Sequence, residues 1–154
     1  MAGIHVRPAV LTDGAQLGRL CEALWPDSPA EEHARGLAPT LAGAPIGILP
    51  QAIFIAESEH GELVGFLEAG LRSHADGCDP ARPVGYIEGW YVVEAQRRKG
   101  VGSKLMAAAE EWARAQGCRE VASDTWIDRE VSQRAHEALG FEVVDRCVHY
   151  RKSL

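Results

Sequence analysis

The sequence has no apolar run approaching the roughly 20 residues needed to cross a bilayer, and its first ten residues lack the apolar core of a signal peptide. Cysteine is scarce, and no two cysteines form a Cys-x-x-Cys pair. This spacing favours reduced thiols in a cytoplasm over disulfides or a zinc site. We therefore expect a cytoplasmic protein with no membrane partner and no metal site. The four cysteines are Cys21, Cys78, Cys118 and Cys147.

An excess of positive charge is also absent. The chain has 16 Lys and Arg against 22 Asp and Glu, which gives a formal net charge of −6. That balance argues against general nucleic-acid binding and permits cationic partners. The length of 154 residues suits one domain, residues 1–154, and no internal repeat, linker or low-complexity tract divides it.

The apolar periodicity predicts a single α/β domain with a mixed, mostly antiparallel central sheet flanked by helices. Turn residues and prolines separate the segments and set their approximate ends. The predicted strands are 3–8, 52–58, 63–73, 85–93, 119–124 and 141–152, and the predicted helices are 13–24, 30–41, 102–116 and 129–139.

The most informative segment is 86–112, where an apolar strand, a cationic turn, two glycines and an amphipathic helix follow one another. Glycines at a helix N-terminus let backbone N–H groups approach an anion, and the helix dipole adds partial positive charge there. A basic turn that merely begins an ordinary helix is the alternative. The Walker A spacing is absent, and Leu105 stands where a dinucleotide fingerprint needs its third glycine. The order of elements favours a phosphate-binding site.

The run Arg97-Arg98-Lys99-Gly100-Val101-Gly102 resembles motif A of the GNAT superfamily of acyl-CoA-dependent N-acyltransferases, Gln/Arg-x-x-Gly-x-Gly/Ala. The tail 132–141 resembles the helix-to-strand motif that closes that fold. The resemblance implies acetyl-CoA as co-substrate, with strand backbone pairing to its pantetheine arm and the loop cradling its pyrophosphate. The implied cofactor residues are Trp90, Tyr91, Val92, Val93, Arg97, Arg98, Lys99, Gly100, Val101, Gly102, Ser103 and Arg129, the last standing where many members have Asn.

A second set of short motifs is similar to one group within that superfamily, the aminoglycoside 6′-N-acetyltransferases. The motifs are Trp25-Pro26, 77–79, Glu88-Gly89, 118–124, Ser132-Gln133, His136 and 150–152. This resemblance implies acetyl transfer to the 6′-amine of aminoglycoside antibiotics by direct attack in a ternary complex, and a homodimer. The loop 72–83 departs from the group, because His74-Ala75 replaces an aromatic residue.

Aminoglycosides are polycations, so their site needs carboxylates. The resemblance implies that Trp25, Asp79, Glu88, Asp124 and Asp145 bind the acceptor, the counterpart of Asp145 being a Glu that contacts drug. Each has a structural alternative: Glu88 could pair with a nearby Arg, Asp124 could cap a turn, Asp145 could be an exposed charge, and Trp25 could anchor the core.

Acyl transfer from a thioester to an amine needs a proton acceptor for the amine and gains from an acid at the departing thiolate. We expect Glu88 to act as the base or to hold a water that does. His136 and Tyr150 are the rival acids, although His136 could only pack against the cofactor and Tyr150 could be core. Two other functions remain open, namely a GNAT enzyme for another amine and an acyl-CoA-binding module without turnover.

Overall fold

The computed structural model describes residues 3–44, 47 and 49–154. Its strands are β1 (His5–Pro8), β2 (Gln51–Glu57), β3 (Leu63–Arg72), β4 (Val84–Val92) and β5 (Val121–Ser123). Its helices are α1 (Gly14–Leu24), α2 (Ala30–Leu41), α3 (Val101–Ala115) and α4 (Glu130–Ala138). Within these described residues, no helix is both long enough and apolar enough to span a membrane.

The five strands lie in the order β1-β2-β3-β4-β5. The first three pairings are antiparallel and the last, β4 with β5, is parallel. The prediction of a mixed, mostly antiparallel sheet is therefore confirmed. The apolar strands β2, β3 and β4 occupy the centre because both of their faces are covered by helices.

One face of the sheet packs against α3, and the other packs against α1. On the α3 face, Leu67 and Ile87 contact a cluster that includes Leu105. On the α1 face, Phe66 packs with Leu17, and both are completely buried. The alternation of neighbouring residues Phe66 and Leu67 between the two faces follows from the two-residue period of a strand.

A β-bulge interrupts the pairing of β3 with β4. Glu68 pairs with Gly89 and Ala69 pairs with Ile87, so Glu88 is the additional residue in β4. A bulge changes the direction of a side chain and increases the local twist. Here it lies where β4 separates from β5, because the two strands pair only through residues 85–87 of β4.

The predicted last strand, 141–152, is wrong for this chain. Residues 141–154 contain no regular secondary structure, and 142–150 are exposed. A strand forms only where a neighbouring strand accepts and donates its backbone hydrogen bonds. In the described chain, no strand lies beside this segment, which we call the C-terminal arm. The predicted fifth strand, 119–124, is also shorter, Val121–Ser123.

Candidate active site

The predicted phosphate loop joins β4 to α3 through a turn with two left-handed residues, Arg98 at φ 59° and Gly100 at φ 81°. A Cβ placed on Gly100 would meet no atom within 4 Å, so the space in front of this residue is open. Helix α3 begins at the next residue, and the N–H groups of its first turn have no partner within the helix. The loop therefore presents several N–H donors to one open space, as an anion site requires.

Side chains of β4 and the loop hold this turn in place. Arg97 Nε donates to the carbonyl oxygen of Val92 at 2.8 Å, and its guanidinium lies 5.5 Å from the centre of the Tyr91 ring. Trp90 Nε1 donates to the carbonyl of Gly102 at 3.2 Å, and a Cβ on Gly102 would lie 3.1 Å from the indole. Gly102 thus lets the Trp90 indole pack closely against the start of α3.

One edge of β4 has no strand beside it from Glu88 to Val92 within the described chain. Val93 N–H donates to Val64 on β3, and because backbone direction alternates along a strand, Tyr91 N–H also faces β3. Trp90 and Val92 therefore turn their N–H groups toward the free edge. The prediction treated Trp90, Tyr91 and Val92 alike as partners of the pantetheine arm. It is corrected for Tyr91, because the backbone of Tyr91 is used within the sheet.

His136 lies under the free edge, on α4. Its ring is edge-on to Trp90 and to Phe141, with 5.2 Å between ring centres in each pair. Nδ1 lies 2.7 Å from the carbonyl of Ser132, and Nε2 lies 2.8 Å from Ser123 Oγ. A carbonyl only accepts, so Nδ1 donates, and Nε2 of the neutral ring accepts from Ser123. Both ring nitrogens are engaged, which favours a packing role or a proton path through Ser123.

Two of the carboxylates predicted to bind the acceptor, Glu88 and Asp124, lie near Tyr86 of β4. Glu88 forms a bidentate pair with Arg72, at 3.1 Å from Nε and 2.9 Å from Nη2. The same guanidinium lies 3.5 Å above the centre of the Tyr86 ring. Burial and the nearby Asp124 carboxylate raise the pKa of Tyr86 to about 12. The Arg72–Glu88 pair and Asp124 thus both lie beside the Tyr86 ring.

The pairing of Glu88 with an arginine was the structural alternative for that residue, and it is present. Both side chains are partly exposed, 38% for Glu88 and 45% for Arg72. An ion pair this exposed is worth about 0–1 kcal/mol. An incoming ammonium group can therefore compete for the Glu88 carboxylate at little cost.

Trp25 packs between the helices and the sheet. Its ring is edge-on to Phe66 at 5.9 Å and tilted against His33 at 6.1 Å. A Cβ on Gly89 would lie 2.3 Å from the indole, so only glycine leaves room for it. Trp25 thus makes a close approach to the Gly89 backbone, and it serves the core while it lines a cavity of about 290 Å³.

The remaining predicted residues lie apart from this centre. Asp79 shapes its own loop by accepting from Ala81 N–H at 2.9 Å. Arg129 immediately precedes α4 and is exposed. Asp145 and Tyr150 lie on the exposed C-terminal arm, and Tyr150 is 93% exposed. Tyr150 is thus not core.

Two residues of β3 in this region were not among the predicted site residues, namely Glu68 and Arg72. Glu68 and Glu88 line an open cavity of about 380 Å³ beside β3. A single charged residue inside an apolar strand was the available signal for Glu68. Its pairing with Gly89, across the bulge at Glu88, could not be inferred from the sequence.

The family comparison agrees with this geometry. The model of the acetyltransferase (GNAT) family matches residues 17–141. The chain belongs to the GNAT family. An aminoglycoside N(6′)-acetyltransferase type 1 of Klebsiella aerogenes is 44% identical over 97% of this chain and 96% of its own length. One of the same name from Stenotrophomonas maltophilia is 38% identical, over 97% of this chain and 93% of its own.

A solved GNAT structure resembles this one closely. AAC(6′)-Iy in complex with the bisubstrate analog CoA-S-monomethyl-acetylneamine superimposes with a TM-score of 0.87, at 34% sequence identity. The match covers 99% of this chain and all of that chain. That protein binds a CoA conjugate. The open phosphate loop and the free strand edge of the present chain are consistent with such a ligand.

Proposed function

We propose that this chain is an aminoglycoside 6′-N-acetyltransferase, which transfers the acetyl group of acetyl-CoA to the 6′-amine of aminoglycoside antibiotics and so confers resistance. The observation that carries the proposal is the position of β4. Its free edge begins at Glu88, in the acidic cavity beside Arg72, and leads along Trp90 and Val92 to the open loop at Gly100. One strand therefore connects a site for a cation with a site for a diphosphate.

The cofactor is assigned to the free edge and the loop. Pantetheine pairs with the backbone of Trp90 and Val92, and the pyrophosphate accepts hydrogen bonds from the first N–H groups of α3. Arg98 and Lys99 are exposed beside the loop and add positive charge. Arg97 acts through the turn that it anchors at the Val92 carbonyl.

Transfer is direct and needs no covalent enzyme intermediate. The neutral 6′-amine attacks the thioester carbonyl, whose oxygen gains negative charge and accepts from the Val92 N–H, one of the two donors that face the free edge. The proton released by the amine passes to Glu88 or to a water that Glu88 holds. The CoA thiolate leaves and takes a proton by way of His136 and Ser123, or from Tyr150 of a second copy. The C–N bond forms as the C–S bond breaks.

The regiochemistry tests this proposal. Neomycin and paromomycin differ at one position, where a 6′-amine is replaced by a 6′-hydroxyl. We expect neomycin to release CoA thiol and to carry one acetyl group at its 6′-nitrogen, located by product mass and NMR. Paromomycin should bind without reacting at that position. Acetylation of another ring amine would contradict the 6′ assignment and leave acetyl transfer intact.

The same thiol-release assay separates the two alternative functions. A GNAT enzyme for another amine would release thiol with a polyamine, an amino acid or a peptide N-terminus and with no aminoglycoside. A module that only binds acyl-CoA would release none with any amine. The charges of Glu88 and Asp124 beside β4 favour a cationic acceptor and so count against a module that only binds acyl-CoA.

We also infer a homodimer, from the C-terminal part of the chain. Eight of the eleven large apolar side chains that the described residues expose lie between Trp126 and Leu154. The C-terminal arm has a strand-like sequence without a strand beside it, and Val144 packs against Gly77 of the loop before β4. A second copy would cover these side chains and pair with the arm, which carries Asp145 and Tyr150.

Removal of the C-terminal arm should therefore separate the subunits. We expect the full chain to sediment at twice its mass of 16.7 kDa, and a chain ending at Glu142 to sediment as a monomer with weaker tobramycin binding. Analytical ultracentrifugation and calorimetry measure both. A truncated chain that stays dimeric would contradict this inference. We further propose a cytoplasmic location, which the four free cysteines support.

A further inference from the structure

Glu68 occupies an unusual position in the core of the sheet. It is the single charged residue of β3 between Leu63 and Leu71, and it is partly buried beside the completely buried Phe66 and Leu67. Even partial burial of a carboxylate costs free energy, which a hydrogen bond or a positive partner offsets. The position therefore needs an electrostatic explanation.

Two cavities meet at this residue. The cavity of about 380 Å³ contacts Glu68 and Glu88, and the cavity of about 290 Å³ contacts Glu68, Trp25 and His33. Glu68 is thus the residue that the two cavities share, one beside β4 and the other beside Trp25 and α2. A ligand larger than one sugar ring, with its reacting amine near β4, would pass this carboxylate.

The neighbouring charges leave Glu68 without a cation. Arg72 is bound to Glu88 by both nitrogens, and among the described residues no Lys or Arg forms an ion pair with Glu68. From α2, Glu32 and His33 line the second cavity, but His33 Nε2 lies 3.0 Å from the carbonyl of Trp25.

The pKa of Glu68 agrees with its lack of a Lys or Arg partner. Burial and the negative charge of Glu88 raise the pKa of the Glu68 carboxyl, while His33 lowers it. From α1, Cys21 also lines the second cavity, and burial raises the pKa of its thiol to about 12, so it stays a neutral thiol and adds no charge. A cationic ligand is the missing compensation.

We propose that Glu68 binds a second ammonium group of the acceptor, one that is not acetylated, and so selects acceptors that carry several amines. The proposal rests on the aminoglycoside acetyltransferase function proposed above. Adjacent strands lie about 4.8 Å apart, so two amines of one aminoglycoside can reach β3 and β4 together. The reacting amine must lose its proton, whereas the group at Glu68 keeps its charge and gains a charge-assisted hydrogen bond.

The test compares charge with shape at this position. Glu68→Gln keeps the shape and removes the charge, and Glu68→Asp keeps the charge and shortens the side chain. We expect Glu68→Gln to raise KM for tobramycin about tenfold, the loss of one charge-assisted hydrogen bond, with kcat and the KM for acetyl-CoA changed less than about twofold. Glu68→Asp should stay within about threefold of the wild type. Glu62→Gln, an exposed position just before β3, is the control for net charge.

Other results would overturn the proposal. If Glu68 only supported packing, Glu68→Asp would open a void and lose more than Glu68→Gln, and the KM for acetyl-CoA would move with that for tobramycin. A folded Glu68→Gln protein, checked by its thermal midpoint, whose tobramycin KM equals that of Glu62→Gln would also exclude the ammonium site. Wild-type protein that acetylates no aminoglycoside would instead contradict the proposed function.

Discussion

Replacing Gly100 by Val should weaken acetyl-CoA binding about a hundredfold in a protein that still folds. Gly100 has φ 81° and faces open space, so valine both strains the turn and fills the space through which the pyrophosphate approaches. Loss of two charge-assisted hydrogen bonds at about 1.5 kcal/mol each accounts for that factor. Calorimetric titration with desulfo-CoA measures the change.

The same helix provides a matched control. Gly117 follows the other end of α3 and has φ 87°, and a Cβ placed on it would likewise meet no atom within 4 Å. Gly117→Val therefore introduces similar backbone strain far from the phosphate loop, and should leave desulfo-CoA affinity unchanged. If the two variants bind desulfo-CoA equally well, the loop at Gly100 does not hold the pyrophosphate.

Much of the fold follows from local sequence patterns. Helix α2, Ala30–Leu41, begins after Pro29 and matches its predicted bounds, and the central strands differ from theirs by at most one residue at each end. These elements bury their own apolar faces, so periodicity is sufficient to find them. The C-terminal arm has a comparable pattern and forms no strand, because a pattern supplies no neighbour for the backbone.

The site likewise has one part that the sequence predicts and another part that it does not. The phosphate loop is contiguous, so its glycines and basic residues are visible in the sequence. The acceptor side depends on register across β3 and β4, where a one-residue bulge at Glu88 decides which side chains meet. Arg72 is 16 residues from Glu88 in the chain, and only the antiparallel pairing brings its guanidinium onto the carboxylate and over Tyr86. The pairing partner of a predicted carboxylate was therefore not predictable.

Arg72 also determines which of the acidic residues is already paired with a cation before a ligand binds. Arg72 pairs with Glu88, whereas among the described residues no ion pair forms with Glu68 or Asp124. An ammonium group that reaches Glu88 must share the carboxylate with Arg72 or displace it. This competition costs little at such exposure, and it keeps the Glu88 side chain in one orientation before the acceptor arrives.

The double replacement Glu88→Gln, Asp124→Asn should lower kcat/KM for tobramycin about a hundredfold while the affinity for acetyl-CoA hardly changes. Each variant keeps the side-chain shape and removes one carboxylate, and a charge-assisted hydrogen bond contributes on the order of 1.5–3 kcal/mol, or tenfold and more. Glu88→Gln has an added effect, because it leaves the Arg72 guanidinium without its partner, facing the acceptor's ammonium groups. Steady-state kinetics with each substrate varied in turn measures both sides.

A control variant and the pH–rate profile distinguish the loss of these two carboxylates from a general loss of negative charge. Glu62→Gln, Glu111→Gln removes the same two negative charges from exposed positions and should retain wild-type kinetics. If Glu88 accepts the proton or holds the water that does, Glu88→Gln alone should also lower kcat and move the acid limb of the pH–rate profile. A folded double variant that acetylates every aminoglycoside at nearly the wild-type rate would exclude an acidic acceptor site beside β4. The free edge and phosphate loop would then serve a different amine, because neither depends on these two carboxylates.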